Sequence, residues 1–108
     1  MTTNECIEKI KEFFYECTLI AEKKGRDYNP GGIAFKNVRE LAEEIDVSDE
    51  KIIWIAMAKH ISSIKSYIKL GKLESEPIRE RLKDLANYAA LLAVLIEENE
   101  STKLSKIG

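Results

Sequence analysis

An all-α domain is predicted by three features of the sequence. Its composition is rich in Ala, Glu, Ile, Leu and Lys, with only two Pro and five Gly. Apolar residues recur at helical spacing in four separate stretches. Breakers such as Asn-Pro-Gly-Gly, Asp-Val-Ser and Gly71 fall between them. The expected architecture is a four-helix domain over residues 1–100, with an antiparallel hairpin of long helices, assembling as an oligomeric bundle. Residues 101–108 read as a flexible polar tail.

The first helix is expected to start at Thr3 or Asn4, either of which can accept a hydrogen bond from the free amides of the first turn. Ile7, Ile10, Phe14, Cys17 and Ala21 form its apolar face, widened by Phe13 and Ile20. Glu8, Glu12 and Glu16 make an acidic ladder roughly opposite, either a solvated face paired with nearby lysines or the source of a metal ligand shared with the last helix. Gly25 is read as its end. The loop GRDYNPGG, residues 25–32, follows. It holds Arg26, Asp27 and Tyr28, and two readings stand side by side. One is a plain turn with Tyr28 on the core; the other is a ligand loop in which Tyr28 stacks and Arg26 contacts phosphate.

Residues 33–45 read as a short second helix with Val38, Leu41, Ala42 and Ile45 at core spacing. Ser48 then caps a third helix whose first turn carries Asp49 and Glu50, the charge favoured at a helix N-terminus. It runs to about Leu70, stopped by Gly71. Its early part, IIWIAMA at residues 52–58, is apolar on all sides, so burial by a second chain is expected as well as by its own. Lys59 and His60 emerge where that surround stops. They are candidates to face phosphate as catalytic residues, against the plainer reading of His60 as a satisfied structural residue.

The short connection at residues 71–75 brings the third and fourth helices antiparallel. Ser75 is the expected N-cap of the last helix, with Glu76 and Pro77 in its first turn. At about 100° per residue, Glu76, Glu80, Asp84 and Asn87 fall within one quarter of its circumference. Ile78, Leu82, Leu85, Ala86, Ala89, Leu92, Ala93 and Ile96 fill the opposite side, read as the core face. Carboxylates four residues apart stand about 6 Å from each other, close enough to share a hard cation such as magnesium. The alternative is a solvated mosaic in which Arg79, Arg81 and Lys83 neutralise them.

Composition excludes several classes. With 108 residues, 44% hydrophobic and 33% charged, the chain is one globular domain with enough length for a core. A net charge of −2 supplies no overall basic field for nucleic acid or anionic membrane. The N-terminus MTTNECIEKIKEFF is charged and has no continuous apolar stretch, so no secretory leader is expected. The longest strongly apolar run, residues 88–96, is far below the roughly 20 residues that cross a bilayer. Cys6 and Cys17, on one helix and roughly 16 Å apart, cannot bridge each other. With one His and no close Cys pair, no structural zinc site is expected. The thiols are expected to be free and the location cytoplasmic.

The segments KKGRDY (23–28), AKH (58–60) and SEPIRERLKDLANYAALL (75–92) resemble the phage-type nucleotide-modification-associated proteins, which are related to the MazG-like all-α nucleoside triphosphate pyrophosphatases. The similarity spans about two thirds of the chain. It implies a homodimer or homotetramer that binds a nucleotide and, as a hydrolase, uses acid-held magnesium to release pyrophosphate. By position, the resemblance assigns Glu80 and Asp84, with Glu76 one turn earlier, to the metal. Lys59 and His60 are then the catalytic candidates, and Arg26, Asp27, Tyr28 and Asn87 the substrate-binding ones.

Two other readings compete. Residues 38–55 have the apolar spacing of a helix-turn-helix, although Asp49 and Glu50 stand where a DNA reader needs donors. A non-catalytic helical module that binds another protein is the other, permitted by the apolar excess on IIWIAMA.

Overall fold

The computed structural model describes residues 1–28 and 31–107, apart from the side chains of Tyr28 and residues 105–107. It is all-α, with four helices in order: α1 (Thr3–Tyr28), α2 (Lys36–Ile45), α3 (Asp49–Leu70) and α4 (Ile78–Ile107). No strand occurs among the described residues. No helix among them is long and apolar enough to cross a membrane. Cys6 is exposed, Cys17 buried, and both are free thiols.

Local chemistry accounts for most boundaries. Thr2 and Glu5 form a reciprocal cap at the start of α1: the Glu5 amide donates to the Thr2 hydroxyl at 3.1 Å, and the Thr2 amide donates to the Glu5 carboxylate. Ser48 caps α3 by accepting from the Lys51 amide. Gly71 ends α3 with φ 78°, its amide donating to the Tyr67 carbonyl at 2.7 Å.

Four boundaries differ from the sequence reading, and Thr2, not Thr3 or Asn4, caps α1. Helix α2 starts at Lys36 and not at residue 33, behind the left-handed Phe35. Helix α1 runs through Gly25 to Tyr28, so residues 26–28 are helical. The left-handed turn falls instead at Gly32, with φ 77°, and Lys24 anchors the last turns of α1 by pairing with Asp84. Helix α4 begins at Ile78, with the Pro77 carbonyl accepting from the Glu80 amide, and Ser75 is not its cap. It also continues through residues 101–107, where a tail was expected. There the Thr102 hydroxyl bonds back to the Glu98 carbonyl.

Helices α3 and α4 form the antiparallel hairpin. Asn99 donates to Glu50 at 2.7 Å near one end, and Arg81 meets His60 at 3.5 Å further along. Helix α1 packs on α4 and α2 on α3. The core is small: Phe35, Ile53 and Leu95 are buried together, with Val38, Met57, Tyr88 and Leu92 against them.

The expected core face of α4 is overturned, and in α3 the single chain covers only part of the apolar run. Of the IIWIAMA run, only Ile53 is buried, while Trp54 and Ile55 are each 54% exposed. In α4 the inward side carries Asp84, Tyr88 and Leu95, and Leu82, Ala89, Ala93 and Ile96 of the expected core face are exposed. The cause is that α1, α2 and α3 gather around the flank of α4 that bears the acidic stripe. A hydrophobic stripe identifies a face to be covered, without saying which element covers it.

Candidate functional site

A cleft of about 910 Å³ lies where the end of α1, the start of α2 and the middle of α4 converge over Ile53 of α3. Its apolar wall includes Phe35, Val38, Ile53, Tyr88 and Leu91. Its polar residues are Glu22, Lys24, Arg26, Asn37, Asp84 and Asn87. The left-handed Gly32, with φ 77°, and Phe35, with φ 64°, precede α2, whose first turn lines one side of the cleft with Asn37 and Val38.

Electrostatics divide the cleft. Lys24 Nζ lies 3.1 Å from Asp84 Oδ1, the lysine side chain being 47% exposed and the aspartate 19%. The cation is therefore at the rim and the anion further in. Asn87 Nδ2 is buried without a hydrogen-bond partner among the described residues, an unmet donor of the kind a ligand acceptor can satisfy.

Beside Asp84, His60 lies against Tyr88 with ring centroids 5.4 Å apart. Its Nδ1 is 3.5 Å from Arg81 Nη1. Arg81 Nε in turn pairs with Glu76 at 2.6 Å, though without hydrogen-bond alignment. Burial is the main influence holding the His60 pKa below its ordinary value, with Arg81 and Lys24 acting the same way and Asp84 and Glu76 opposing. His60 is thus a packed, neutral-leaning ring between two helices.

The structure brings only part of the expected site together. Arg26, Asn87 and Asp84 line the cleft. Lys59 is exposed and does not line it, and Asp27 is exposed at the end of α1. The side chain of Tyr28 lies outside the described residues. The three proposed metal ligands go separate ways: Glu76 to Arg81, Asp84 to Lys24 and Glu80 to Lys83.

Lys83 also reaches Glu16, which takes a 2.6 Å bond from Arg79. Hydrogen bonding to Arg79 holds the Glu16 carboxyl below its usual range. Glu16, from the acidic ladder, and Glu80 thereby form an α1–α4 clamp. Among the described residues no group of three or more His, Cys, Asp or Glu side chains could hold a metal ion. The acids of the stripe, as they stand, do not fit magnesium.

Sequence reasoning missed Lys24, Phe35, Asn37 and the inward role of Tyr88. Lys24 sits in the KKGRDY motif, so a signal for it existed. Phe35 had none, because a bulky residue in the left-handed region is uncommon and unannounced. At the start of α3, Asp49 is held by Arg39 at 2.7 Å and Glu50 accepts from Asn99. Compared with family models, with curated proteins and with solved structures, the chain matches none.

Proposed function

We propose that the cleft binds a nucleotide, and that binding does not depend on a divalent metal. The observation that carries this reading is the pairing, in one cavity, of an aromatic and aliphatic wall with rim cations and an unmet amide donor. Its volume of about 910 Å³ is in the range of small-ligand sites. Charge sets the orientation. Phosphates meet Arg26 and Lys24 at the rim, because Asp84 repels them further in. The base lies against Phe35 and Tyr88, with Asn87 donating to a ring nitrogen or carbonyl and Asp84 accepting from an exocyclic amine or sugar hydroxyl. The resemblance of residues 23–92 to MazG-like proteins supports the same ligand class. Pyrophosphohydrolysis through magnesium would need Glu76, Glu80 and Asp84 to converge, whereas each faces a different cation.

Calorimetric titration with a panel of ribo- and deoxynucleotides, with magnesium and with a chelator, tests the reading. Saturable binding that survives the chelator is expected. Lys24→Met should weaken it on the order of tenfold to a hundredfold, the usual worth of a charge-assisted hydrogen bond. Absence of binding to every nucleotide would sink the proposal. Strictly magnesium-dependent binding, with pyrophosphate released, would replace it with the hydrolase reading.

A further inference from the structure

We infer that the outward face of α3 binds a single-stranded nucleic acid, its phosphates held by Lys59, Lys65 and Lys69 and a base stacked on Trp54. This does not rest on the nucleotide reading, because Ile53, over which the cleft lies, is on the opposite side of α3. Counted from Ile53 at about 100° per residue, the three lysines, Lys51 and Trp54 share one arc of about 140° on the far side. All five residues are exposed.

Charge is segregated along this chain. Its net value is −2, yet no Asp or Glu occurs between Glu50 and Glu74, the longest such interval in the sequence. Within it stand Lys51, Lys59, Lys65, Lys69 and Lys72, all exposed. Among the described residues none of these five lysine side chains has a hydrogen bond or an ion pair, whereas Arg39, Arg79, Arg81 and Lys83 each hold a carboxylate. Neighbouring acids confine the site to the second half of the helix. Asn99 bonds Glu50, which sets the exposed Glu97 and Glu100 level with Lys51, and the exposed Glu74 follows Lys72. Helix α2 starts beside Ile53 and leads back to the start of α3, so its acids lie towards that end too.

The chemistry of the face selects the ligand. Lys59, Lys65 and Lys69 follow one another at about 9 and 6 Å along the axis, the scale of successive phosphates in an extended strand. Ser62 and Ser66 lie between them on the same arc and are hydroxyl donors for phosphate oxygens. Trp54, 54% exposed, precedes Lys59 and offers its face to an unpaired base. A bilayer would need apolar side chains between the cations, and between Lys59 and Lys69 this arc carries only Ser62, Lys65 and Ser66. A protein partner would need an apolar centre with its charges at the rim; here lysines and serines occupy the centre. A duplex would be met by the start of the helix, where Asp49 and Glu50 repel phosphate.

Fluorescence anisotropy of labelled oligothymidylate and oligouridylate of about 15 nucleotides, titrated with the full chain, should show saturable binding. Trp54, the single Trp, should be quenched as the strand binds. At roughly −0.7 per phosphate, three contacts give a slope of about −2 in log affinity against log salt. Combining Lys59→Gln, Lys65→Gln and Lys69→Gln should remove most of that slope and weaken low-salt binding on the order of tenfold or more. Lys11→Gln, on α1, should change neither. Binding of either strand supports the inference, and the ratio of the two ranks DNA against RNA. Absence of binding to both overturns it, as does a triple variant that binds like the wild type. Tighter binding of a duplex of equal length, or equal binding of polyglutamate or phosphatidylserine vesicles, also overturns it. If the triple variant loses its helical circular dichroism, Lys65→Gln decides instead, with an expected slope smaller by about 0.7.

Discussion

Phe35 holds the backbone conformation that L-residues avoid, φ 64° and ψ 9°, yet its side chain is only 6% exposed. Two effects oppose each other at this residue. The ring fills the core beside Ile53 and Leu95, which on large-to-small substitution is worth about 3–5 kcal/mol. The left-handed backbone costs about 1–2 kcal/mol for any residue with a Cβ. Burial wins, and an inverted ranking follows. Phe35→Ala should lose about 3–5 kcal/mol in urea unfolding, while Phe35→Gly, ordinarily the worse substitution, should lose about 1 kcal/mol less. A glycine variant less stable than the alanine one would contradict the strained backbone.

His60 offers a second test at this scale. Burial, with help from Arg81 and Lys24, holds its folded pKa below the ordinary value of 6.5. Between the lowered folded value and 6.5, the unfolded chain binds more protons, so stability rises with pH there. Acidification from neutrality should therefore cost stability until the folded ring is itself protonated. The His60→Phe variant should show a flatter pH dependence across that window, measured by thermal unfolding.

At the scale of elements, one residue of α2 ties it to both long helices of the hairpin. Arg39 pairs with Asp49 on α3 at 2.7 Å and with Glu98 on α4 at 3.0 Å, so a single guanidinium fastens three helices. These groups are partly solvated, and their worth is accordingly modest. Arg39→Met should cost about 1 kcal/mol at low ionic strength and less in high salt. Arg39→Lys should recover little, since an ammonium lacks the fork that spans two acceptors. Ser48→Ala should cost about 1 kcal/mol by uncapping α3.

Local signals explain why so many elements were legible. Ser48 and Gly71 announce their boundaries by chemistry confined to a few residues, and the antiparallel hairpin follows from a short connection. The reach of α1 past Gly25, and the side of α4 that faces inward, were not legible. Both depend on contacts between distant segments, Lys24 with Asp84 and Cys17 with the Lys83 carbonyl. The site divides in the same way. Arg26, Asp84 and Asn87 follow from motif and helical spacing, whereas the dispersal of Glu76, Glu80 and Asp84 onto separate cations depends on where α1 and α3 lie.

For the whole molecule, thermal stability should depend on protein concentration. A core of Phe35, Ile53 and Leu95 is slight for 108 residues, and association that favours the folded form raises the midpoint by mass action. Differential scanning at several dilutions should show the midpoint rising with concentration.

Helix α4 presents Asp84, Asn87 and Tyr88 to the cleft and Ala89 and Ala93 to the opposite surface. One rigid rod thus walls both the cleft and the opposite surface, and any two ligands taken up at them are subject to reciprocity. Whatever factor a ligand on one side applies to affinity on the other, the second must apply to the first. Substitutions of a single small side chain on the outer surface of α4 can accordingly change occupancy of a cavity they never touch.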